Sequence, residues 1–342
     1  MVARIWNKLV QIIEFYLYKI RYSLHSSKYV DLLEISNLKS SRLPARLLAN
    51  CSKGVRENSF FLAGAQITFT TQFETLEFDV IYKSRCNIKN MSSVATSGID
   101  IYQKVDKGYS WIKCIAPHMP YSMGVKDTIE LPPGKKDIVI YLPGYARIEK
   151  ILIKKDSHYS DFEFQENRSI AVYGSSVTHG CAASRPGLSY VNILSRDYGY
   201  KVFNFGFSAS AKGEVEIIEY IASLGTGIIV VEYDHNATVE ELRNTHRDVY
   251  KTIRGKNKNC LIIFMSRFSG GLSIPRMEEK ERIGIIKNTV EYAIHSGDEN
   301  VRFLDGSQVF AHNKDEAFTD DRHPNDLGMN RIAMEIDKLI II

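Results

Sequence analysis

Polar residues that could do chemistry are concentrated in four short segments in the second half of the chain. These segments are residues 174–180, 204–208, 232–237 and 319–324. The first offers the hydroxyls of Ser175 and Ser176 between two glycines, and the last offers His323. A hydroxyl and an imidazole that can take its proton are the equipment of nucleophilic acyl transfer.

Nucleotide-binding alternatives fail on spacing. A phosphate loop needs a glycine, four residues and then Gly-Lys, but His179 stands five positions after Gly174 and no lysine follows Gly180. The segment around Gly206 has no third glycine where a dinucleotide fingerprint requires one. A nucleophile, a base and polar groups are what remains.

The elements that position these segments alternate between short apolar strands and helices. Strands are predicted at 170–173, 202–205, 228–231, 261–265 and 301–304, and helices at 187–198, 214–224, 238–254 and 276–296, with a last helix beginning near Leu327. This rhythm predicts an α/β fold with a doubly wound parallel sheet. Ligands bind beyond the carboxyl ends of such strands, so we expect the four polar segments to converge at one edge.

The preceding region has a different pattern. From about residue 58 to 155 the apolar residues alternate with polar ones, as in Leu76, Phe78, Val80 and Tyr82. Turn signals interrupt these runs at 106–108 and 132–134. Short strands without intervening helices predict a small antiparallel β-sandwich of the jelly-roll kind. The polar stretch 154–168 marks the boundary, so the sequence divides into 1–30, 31–160 and 165–342.

Composition excludes several classes of protein. The 342 residues carry 44 Lys and Arg against 40 Asp and Glu, too balanced for a nucleic-acid binder with one large basic face. Five widely spaced cysteines without a CxxC pair argue against a disulfide framework or a zinc site. No window is apolar enough to span a bilayer. The sequence leaves the oligomeric state open.

Residues 4–21 predict an amphipathic helix with a wide apolar face. One interpretation is an anchor at an anionic membrane surface, since five of the basic residues and one acidic residue fall in the first 28 positions. The alternative is a helix that packs on its own protein or a second subunit. Charges interrupt the apolar run and no small-residue cleavage site follows closely, so we expect an unexported, cytoplasmic protein, at most peripheral at the membrane.

Five motifs together resemble the SGNH (GDSL-type) hydrolases. Residues 173–187 resemble the first block of that family in the branch that has GSS instead of GDS. Residues 204–208 resemble the second block, Asn236 stands where the third has its asparagine, and 320–324 matches the DxxHP of the last. Upstream, 98–102 resembles the GxDLY signature of the β domain in this branch. The resemblance runs from about residue 45 to 340 and implies a flavodoxin-like hydrolase fold.

The resemblance also implies roles for individual residues. Ser176 would be the nucleophile, His323 the general base and Asp320 the group that orients the imidazole. The oxyanion would be bound by the N–H groups of Ser176 and Gly206 and by the side-chain amide of Asn236. Three alternatives remain: Asp321 or Asp326 could replace Asp320, Gly206 could serve a tight turn, and Asn236 could cap the helix near Thr238. No metal or organic cofactor is implied.

Contacts to a substrate are harder to assign. His179, three positions after Ser176, could contact substrate or be a solvated loop residue. In the β domain, Asp100, Tyr102 or Trp111 could face a sugar, or could be packing and turn residues of a sandwich.

The function that this resemblance implies is a serine esterase that removes O-acyl groups, most simply acetyl, from a carbohydrate through an acyl-serine intermediate. Three alternatives stay open. They are an O-acyltransferase that hands the acyl group to a sugar hydroxyl, a membrane-associated lipid esterase, and a catalytically silent carbohydrate-binding protein.

Overall fold

The computed structural model describes residues 32–36, 41–119, 121–154, 169–268, 277–310 and 315–341. The amphipathic helix expected at 4–21 and most of the polar boundary stretch lie outside these residues. Within them, no helix is long and apolar enough to cross a membrane.

Thirteen strands and ten α-helices lie in the described residues, with two short 3₁₀ helices at Pro186–Leu188 and Asp315–Ala317. The strands are β1 (Leu32–Ser36), β2 (Gln66–Thr71), β3 (Thr75–Arg85), β4 (Ile99–Val105), β5 (Gly108–Ile115), β6 (Gly124–Glu130), β7 (Lys136–Tyr141), β8 (Ala146–Lys154), β9 (Ser169–Gly174), β10 (Lys201–Gly206), β11 (Ile228–Glu232), β12 (Leu261–Met265) and β13 (Val301–Leu304). The helices are α1 (Ala45–Asn50), α2 (Lys53–Ser59), α3 (Ser93–Ser97), α4 (Ser176–His179), α5 (Tyr190–Tyr198), α6 (Val215–Ser223), α7 (Val239–Lys256), α8 (Met277–His295), α9 (Gly306–Val309) and α10 (Asp326–Ile341).

The described residues form two compact units. The first contains residues 32–36, 41, 60–119, 121–154 and 185–187, and the second contains the remainder. Residues 42–59 therefore belong to the second unit, although the sequence division placed them with the β-sandwich. The reason is burial, because Leu43 and Val55 lie in the hydrophobic core of the parallel sheet.

The first unit is built from two four-stranded antiparallel sheets, with strand orders β1-β8-β3-β6 and β2-β7-β4-β5. In β3, the alternating residues Leu76, Phe78, Val80 and Tyr82 are all buried in a core that both sheets share. The predicted turn at 106–108 joins β4 to β5, where Gly108 has a φ of 100° that side chains rarely adopt. The antiparallel β-sandwich predicted from period-two patterning is confirmed.

The second unit contains a five-stranded parallel sheet with the order β10-β9-β11-β12-β13. All five strands coincide with the predicted apolar runs to within one residue at each end. Both faces are covered, because Ala171 and Tyr173 of β9 point into one core while Ile170 and Val172 point into another. This is the flavodoxin-like arrangement expected from the sequence.

Strand order in this sheet determines where a ligand site can form. The chain moves from β9 to β10 on one side, and then returns past β9 to β11 on the other. Doubly wound sheets bind their ligands beyond the carboxyl ends of the strands at such a reversal. The loops after β9, β10 and β11 are therefore the ones to consider.

Candidate active site

Ser176 lies immediately beyond the carboxyl end of β9, as the first residue of α4. Ser175 caps this short helix, because its hydroxyl accepts a hydrogen bond from the Val177 N–H at 3.2 Å. Ser176 itself is only partly buried. Its Oγ lies 3.0 Å from Nε2 of His323, which stands 147 positions later in the chain.

A tight turn before α10 presents His323. The turn is closed by a bridge between Phe318 and Pro324 and by a hydrogen bond from the Thr319 N–H to the His323 carbonyl. Asp320 lies within this turn, and its Oδ1 accepts the backbone N–H groups of Arg322 at 2.9 Å and His323 at 2.8 Å. Because these bonds orient the carboxylate, its Oδ2 faces Nδ1 of His323 at 2.9 Å.

The structure thus brings Ser176, His323 and Asp320 into one hydrogen-bonded chain. The two carboxylates that could have competed with Asp320 for this role have other partners. The exposed Asp321 pairs with Arg322, and Asp326 accepts the backbone N–H of Ser184 at 2.8 Å. An alcohol, an imidazole and a carboxylate in this order can perform nucleophilic catalysis at a carbonyl carbon.

Electrostatics of the chain favour a charged imidazole. Burial lowers the pKa of His323, but its interactions with the Cys181 sulfur and the Asp320 carboxylate outweigh burial and raise the pKa from 6.5 to about 9. The pKa of Asp320 is lowered overall. Partial burial raises it, but the hydrogen bonds from His323 and from the turn N–H groups lower it by more. A positive ring beside a negative carboxylate is the charge state that general-base catalysis produces.

Two N–H groups that sequence reasoning placed around an oxyanion differ in their availability. Within the described part of the chain, the Ser176 N–H has no hydrogen-bond acceptor. The Gly206 N–H, by contrast, is buried and donates to Oδ1 of Asn204 at 2.7 Å. The expected role of Gly206 is therefore corrected, because its N–H is already committed to a side chain of its own strand.

Space, not hydrogen bonding, explains the glycine at position 206. A Cβ there would lie 2.3 Å from the backbone nitrogen of His179, so a side chain would displace the loop that contains Ser176. Three residues later, Ala209 is exposed and has a φ of 56°, a left-handed conformation that non-glycine residues seldom adopt. The N–H of Ala209 has no acceptor among the described residues. The sequence analysis did not identify Ala209 as a candidate donor.

Asn236 follows β11 and is partly buried. Its side-chain amide donates to the Phe207 carbonyl at 3.1 Å, which uses one of its two amide protons and places it beside the loop that contains Ala209. It does not cap α7. Thr238 does, in a reciprocal arrangement with Glu241. The alternative interpretation of Asn236 as a helix cap is therefore wrong.

Of the four residues considered for substrate contact, three are buried and Trp111 is 50% exposed. His179 is 2% exposed, and its Nδ1 accepts the Ser208 N–H at 3.4 Å. In the first unit, Asp100 is fully buried and accepts hydrogen bonds from the Trp111 indole, the Arg185 guanidinium and the Gly187 N–H.

Tyr102 is 3% exposed, and its hydroxyl also bonds to Arg185. These three side chains are buried and bond within the protein, which argues against the substrate contacts expected for His179, Asp100 and Tyr102. For Asp100 and Tyr102, no local sequence signal indicates this burial, since their partner Arg185 stands 85 positions after Asp100.

No group of three or more His, Cys, Asp or Glu side chains in the described residues has a geometry that could hold a metal ion. None of the five cysteines forms a disulfide among the described residues.

Comparison with family models identifies the class of protein. Residues 167–341, just over half of the chain, match the model of the GDSL-like lipase/acylhydrolase family. Residues 32–160 match the GxDLY model, the N-terminus of SGNH-hydrolase-type esterases. The chain therefore belongs to the GDSL-like lipase/acylhydrolase family, and it is an SGNH-type esterase with a GxDLY N-terminal region. The resemblance noted in the sequence is confirmed.

Solved structures with the same fold come from several sources. A protein from Bacteroides ovatus described as a GDSL-like lipase is 25% identical, with a TM-score of 0.80 over 91% of this chain and 95% of the other. A salicylyl-acyltransferase from a tetracycline biosynthetic pathway is 16% identical, with a TM-score of 0.72 over 88% and 90%. A family two carbohydrate esterase from Clostridium thermocellum, in complex with cellohexaose, is 13% identical, with a TM-score of 0.57 over 82% and 94%. A search of curated proteins finds no match.

Proposed function

We propose that this chain is a serine esterase that removes O-acyl groups, most simply acetyl, from a carbohydrate through an acyl-serine intermediate. The observation that carries the proposal is the hydrogen-bonded chain Ser176–His323–Asp320 at the carboxyl edge of the parallel sheet. Membership of an acylhydrolase family agrees with it. The carbohydrate part draws on the similarity in fold to enzymes named carbohydrate esterases.

In the first half of the reaction, the Ser176 oxygen attacks the carbonyl carbon of the ester while Nε2 of His323 accepts the hydroxyl proton. Asp320 holds the ring through Nδ1 and stabilises its positive charge. When the tetrahedral intermediate collapses, His323 returns the proton to the departing sugar oxygen, which leaves as an alcohol. The acyl group then remains on Ser176.

In the second half, His323 takes a proton from a water molecule, whose oxygen attacks the acyl carbon. Collapse of this second intermediate breaks the bond to Ser176, and the proton passes to the serine oxygen. The acid leaves and the resting site is restored. If a sugar hydroxyl replaced the water, the same steps would give an acyltransferase, the activity named for one protein of this fold.

Both intermediates carry negative charge on the former carbonyl oxygen. We assign its stabilisation to the Ser176 N–H, the remaining amide proton of Asn236 and the Ala209 N–H, which takes the place expected for Gly206. Removing one such donor typically costs about 10²- to 10³-fold in rate. Asn236→Ala should therefore lose activity in that range.

The proposal is tested by hydrolysis of a chromogenic acetate ester and of an O-acetylated oligosaccharide. Ser176→Ala and His323→Ala should each lose at least about 10³-fold in kcat, since members of such a site act as a unit. A fluorophosphonate probe should label the wild type and fail to label Ser176→Ala.

Matched controls are Ser223→Ala and His295→Ala, which change the same residue types at exposed positions of the second unit. Both should keep full activity. Near-normal hydrolysis by Ser176→Ala would refute the assigned site. If an acylated product forms only when a sugar acceptor is present, the function is that of an acyltransferase and not an esterase. If the probe does not label the wild type, the chain is a catalytically silent binding protein.

A further inference from the structure

Directly behind Ser176, the structure buries a carboxylate that the proposed reaction does not use. Glu232 is the last residue of β11 and is 0% exposed. It accepts hydrogen bonds from the Ser175 N–H at 3.1 Å, the Ser175 hydroxyl at 2.9 Å and the Thr178 hydroxyl at 2.8 Å. All three donors belong to Ser175 and Thr178, which lie on either side of Ser176 in the chain.

No Lys, Arg or His among the described residues forms an ion pair with Glu232. Burial raises its pKa to about 7, although the hydrogen bonds from Thr178 and Ser175 act in the opposite direction, and the charge of Asp234 raises it further. A buried carboxylate is costly unless its oxygens are hydrogen-bonded. The chain meets that cost by directing donors from the Ser176 loop at it.

Through Ser175, the carboxylate controls how α4 begins. The Ser175 hydroxyl points its proton at Glu232, so a lone pair on the same oxygen is available to the Val177 N–H at 3.2 Å. Because Ser175 also donates its backbone N–H to Glu232, both donors of this residue are fixed by one side chain. Ser176 lies between Ser175 and Val177, the two residues that these hydrogen bonds connect.

Thr178 ties down the far end of the same short helix. Its hydroxyl donates to Glu232 and lies 2.7 Å from the hydroxyl of Tyr190, a fully buried residue of α5. Gly174 leaves the room that this arrangement needs. A Cβ at Gly174 would lie 2.1 Å from the Thr178 Oγ1 and 2.7 Å from an oxygen of Glu232.

We infer that Glu232 is a positioning residue for the nucleophile. It never touches substrate, but by fixing Ser175 and Thr178 it holds the Ser176 hydroxyl towards His323 and the Ser176 N–H towards the oxyanion. The inference rests on the proposed function of Ser176. It assigns to Glu232 a part in kcat, not in substrate affinity.

The variant that tests it is Glu232→Gln, which keeps the size of the side chain but turns one acceptor oxygen into a donor. That donor faces the N–H and hydroxyl groups of Ser175 and Thr178, so at least one hydroxyl must reverse its hydrogen bond, and the contacts that hold the loop weaken. With a chromogenic acetate ester, kcat should fall about 10- to 100-fold, the loss expected when a reacting group is displaced by about 1 Å. KM should be unchanged, and the rate of fluorophosphonate labelling at Ser176 should fall by the same factor as kcat.

Thr178→Val provides a second variant of nearly unchanged shape, in which the carboxylate keeps its bonds from Ser175. It should show a smaller loss of the same kind. Asp298→Asn is the matched control, because Asp298 also accepts hydrogen bonds from at least partly buried groups, the Tyr250 hydroxyl and the Arg254 guanidinium, but it precedes β13 and lies near the amino-terminal ends of the strands. It should lower thermal stability and leave kcat unchanged.

The outcomes separate the two proposals. A wild type that is not labelled at Ser176 defeats the proposed function itself. If the wild type is labelled but folded Glu232→Gln or Thr178→Val keeps full kcat, only the positioning role fails. The role also fails if the loss appears in KM, or if it merely follows the fraction of protein that circular dichroism shows to be unfolded.

Discussion

Besides Ser176 and Asp320, the imidazole of His323 has a third neighbour, Cys181. It is 4% exposed, and its backbone N–H donates to the Ser176 carbonyl at 2.9 Å, so it is fixed within the nucleophile loop. Its sulfur forms a hydrogen bond with the His323 ring, and this bond favours the charged ring. A general base must be neutral to accept a proton. Cys181 therefore opposes the start of the reaction.

We predict that kcat/KM rises with pH over the range in which His323 loses its proton, towards its pKa of about 9. The sign follows from the shift: a raised histidine pKa keeps the ring charged, and inactive as a base, at neutral pH. Cys181→Ala removes one of the hydrogen bonds that raise this pKa, so the rising limb should move to lower pH. The measurement is a pH profile of ester hydrolysis.

Cys260→Ala is the control for this experiment, because Cys260 is also buried in the second unit. It immediately precedes β12 and so lies at the amino-terminal ends of the strands, away from His323. Its profile should coincide with that of the wild type. A Cys181→Ala profile that also coincides with the wild type would show that the sulfur does not tune His323.

Which side chains could be predicted depends on whether their role is local. Ser176 and His323 were identified because each lies in a short motif, and the structure places the two together. Asp100 and Tyr102 were misassigned because the partner that buries them, Arg185, is remote in sequence. Nothing in the sequence around Gly206 shows that the Asn204 side chain occupies its N–H. Glu232 lies in one of the four polar segments, but its burial depends on how the loop folds over it.

At the scale of elements, patterning was sufficient where one period dominates. The five parallel strands are continuous apolar runs because both of their faces are buried, and the sandwich strands alternate because one face meets the core. Helices α1 and α2 were missed because they are short, with few buried residues. They reach the core of the second unit through single residues such as Val55.

The loop after β10 holds a conformation that its sequence does not favour. An L-residue in the left-handed region costs about 1–2 kcal/mol, whereas glycine adopts it freely and loses about 0.4–1 kcal/mol through the entropy of the unfolded chain. Ala209→Gly should therefore raise the free energy of unfolding by up to about 1 kcal/mol. Activity should be retained, because the N–H that we assign to the oxyanion is unchanged. Urea unfolding and ester hydrolysis measure the two effects.

Ala49→Gly is the matched control for this loop. Ala49 is exposed within α1 and has no positive φ, so glycine there should lower stability by about 1 kcal/mol. Equal destabilisation by the two substitutions would mean that Ala209 is not held in the left-handed region in solution. A large loss of activity in Ala209→Gly, without unfolding, would show that the methyl group contributes to the site.

Charge is distributed unevenly over the whole molecule. The first 28 residues hold five basic residues and one acidic residue, while the other 314 have 39 of each sign. Any attraction to an anionic surface that depends on net charge should therefore reside in the N-terminal segment. Its residues 4–21 carry the predicted amphipathic helix, which lies outside the described residues.

We predict that the full chain sediments with vesicles of phosphatidylglycerol and phosphatidylcholine at about 0.1 M salt and is released at about 1 M, where the Debye length falls from about 10 Å to about 3 Å. Each basic residue near an anionic surface contributes about 1 kcal/mol, so Lys8→Glu with Arg21→Glu should weaken binding at least about tenfold. Lys258→Glu with Lys280→Glu, at exposed positions of the second unit, makes the same change in net charge and should bind like the wild type. Equal binding by both double variants would assign residues 4–21 to protein packing instead, because a helix whose basic residues can be reversed without loss does not hold the molecule at a charged membrane.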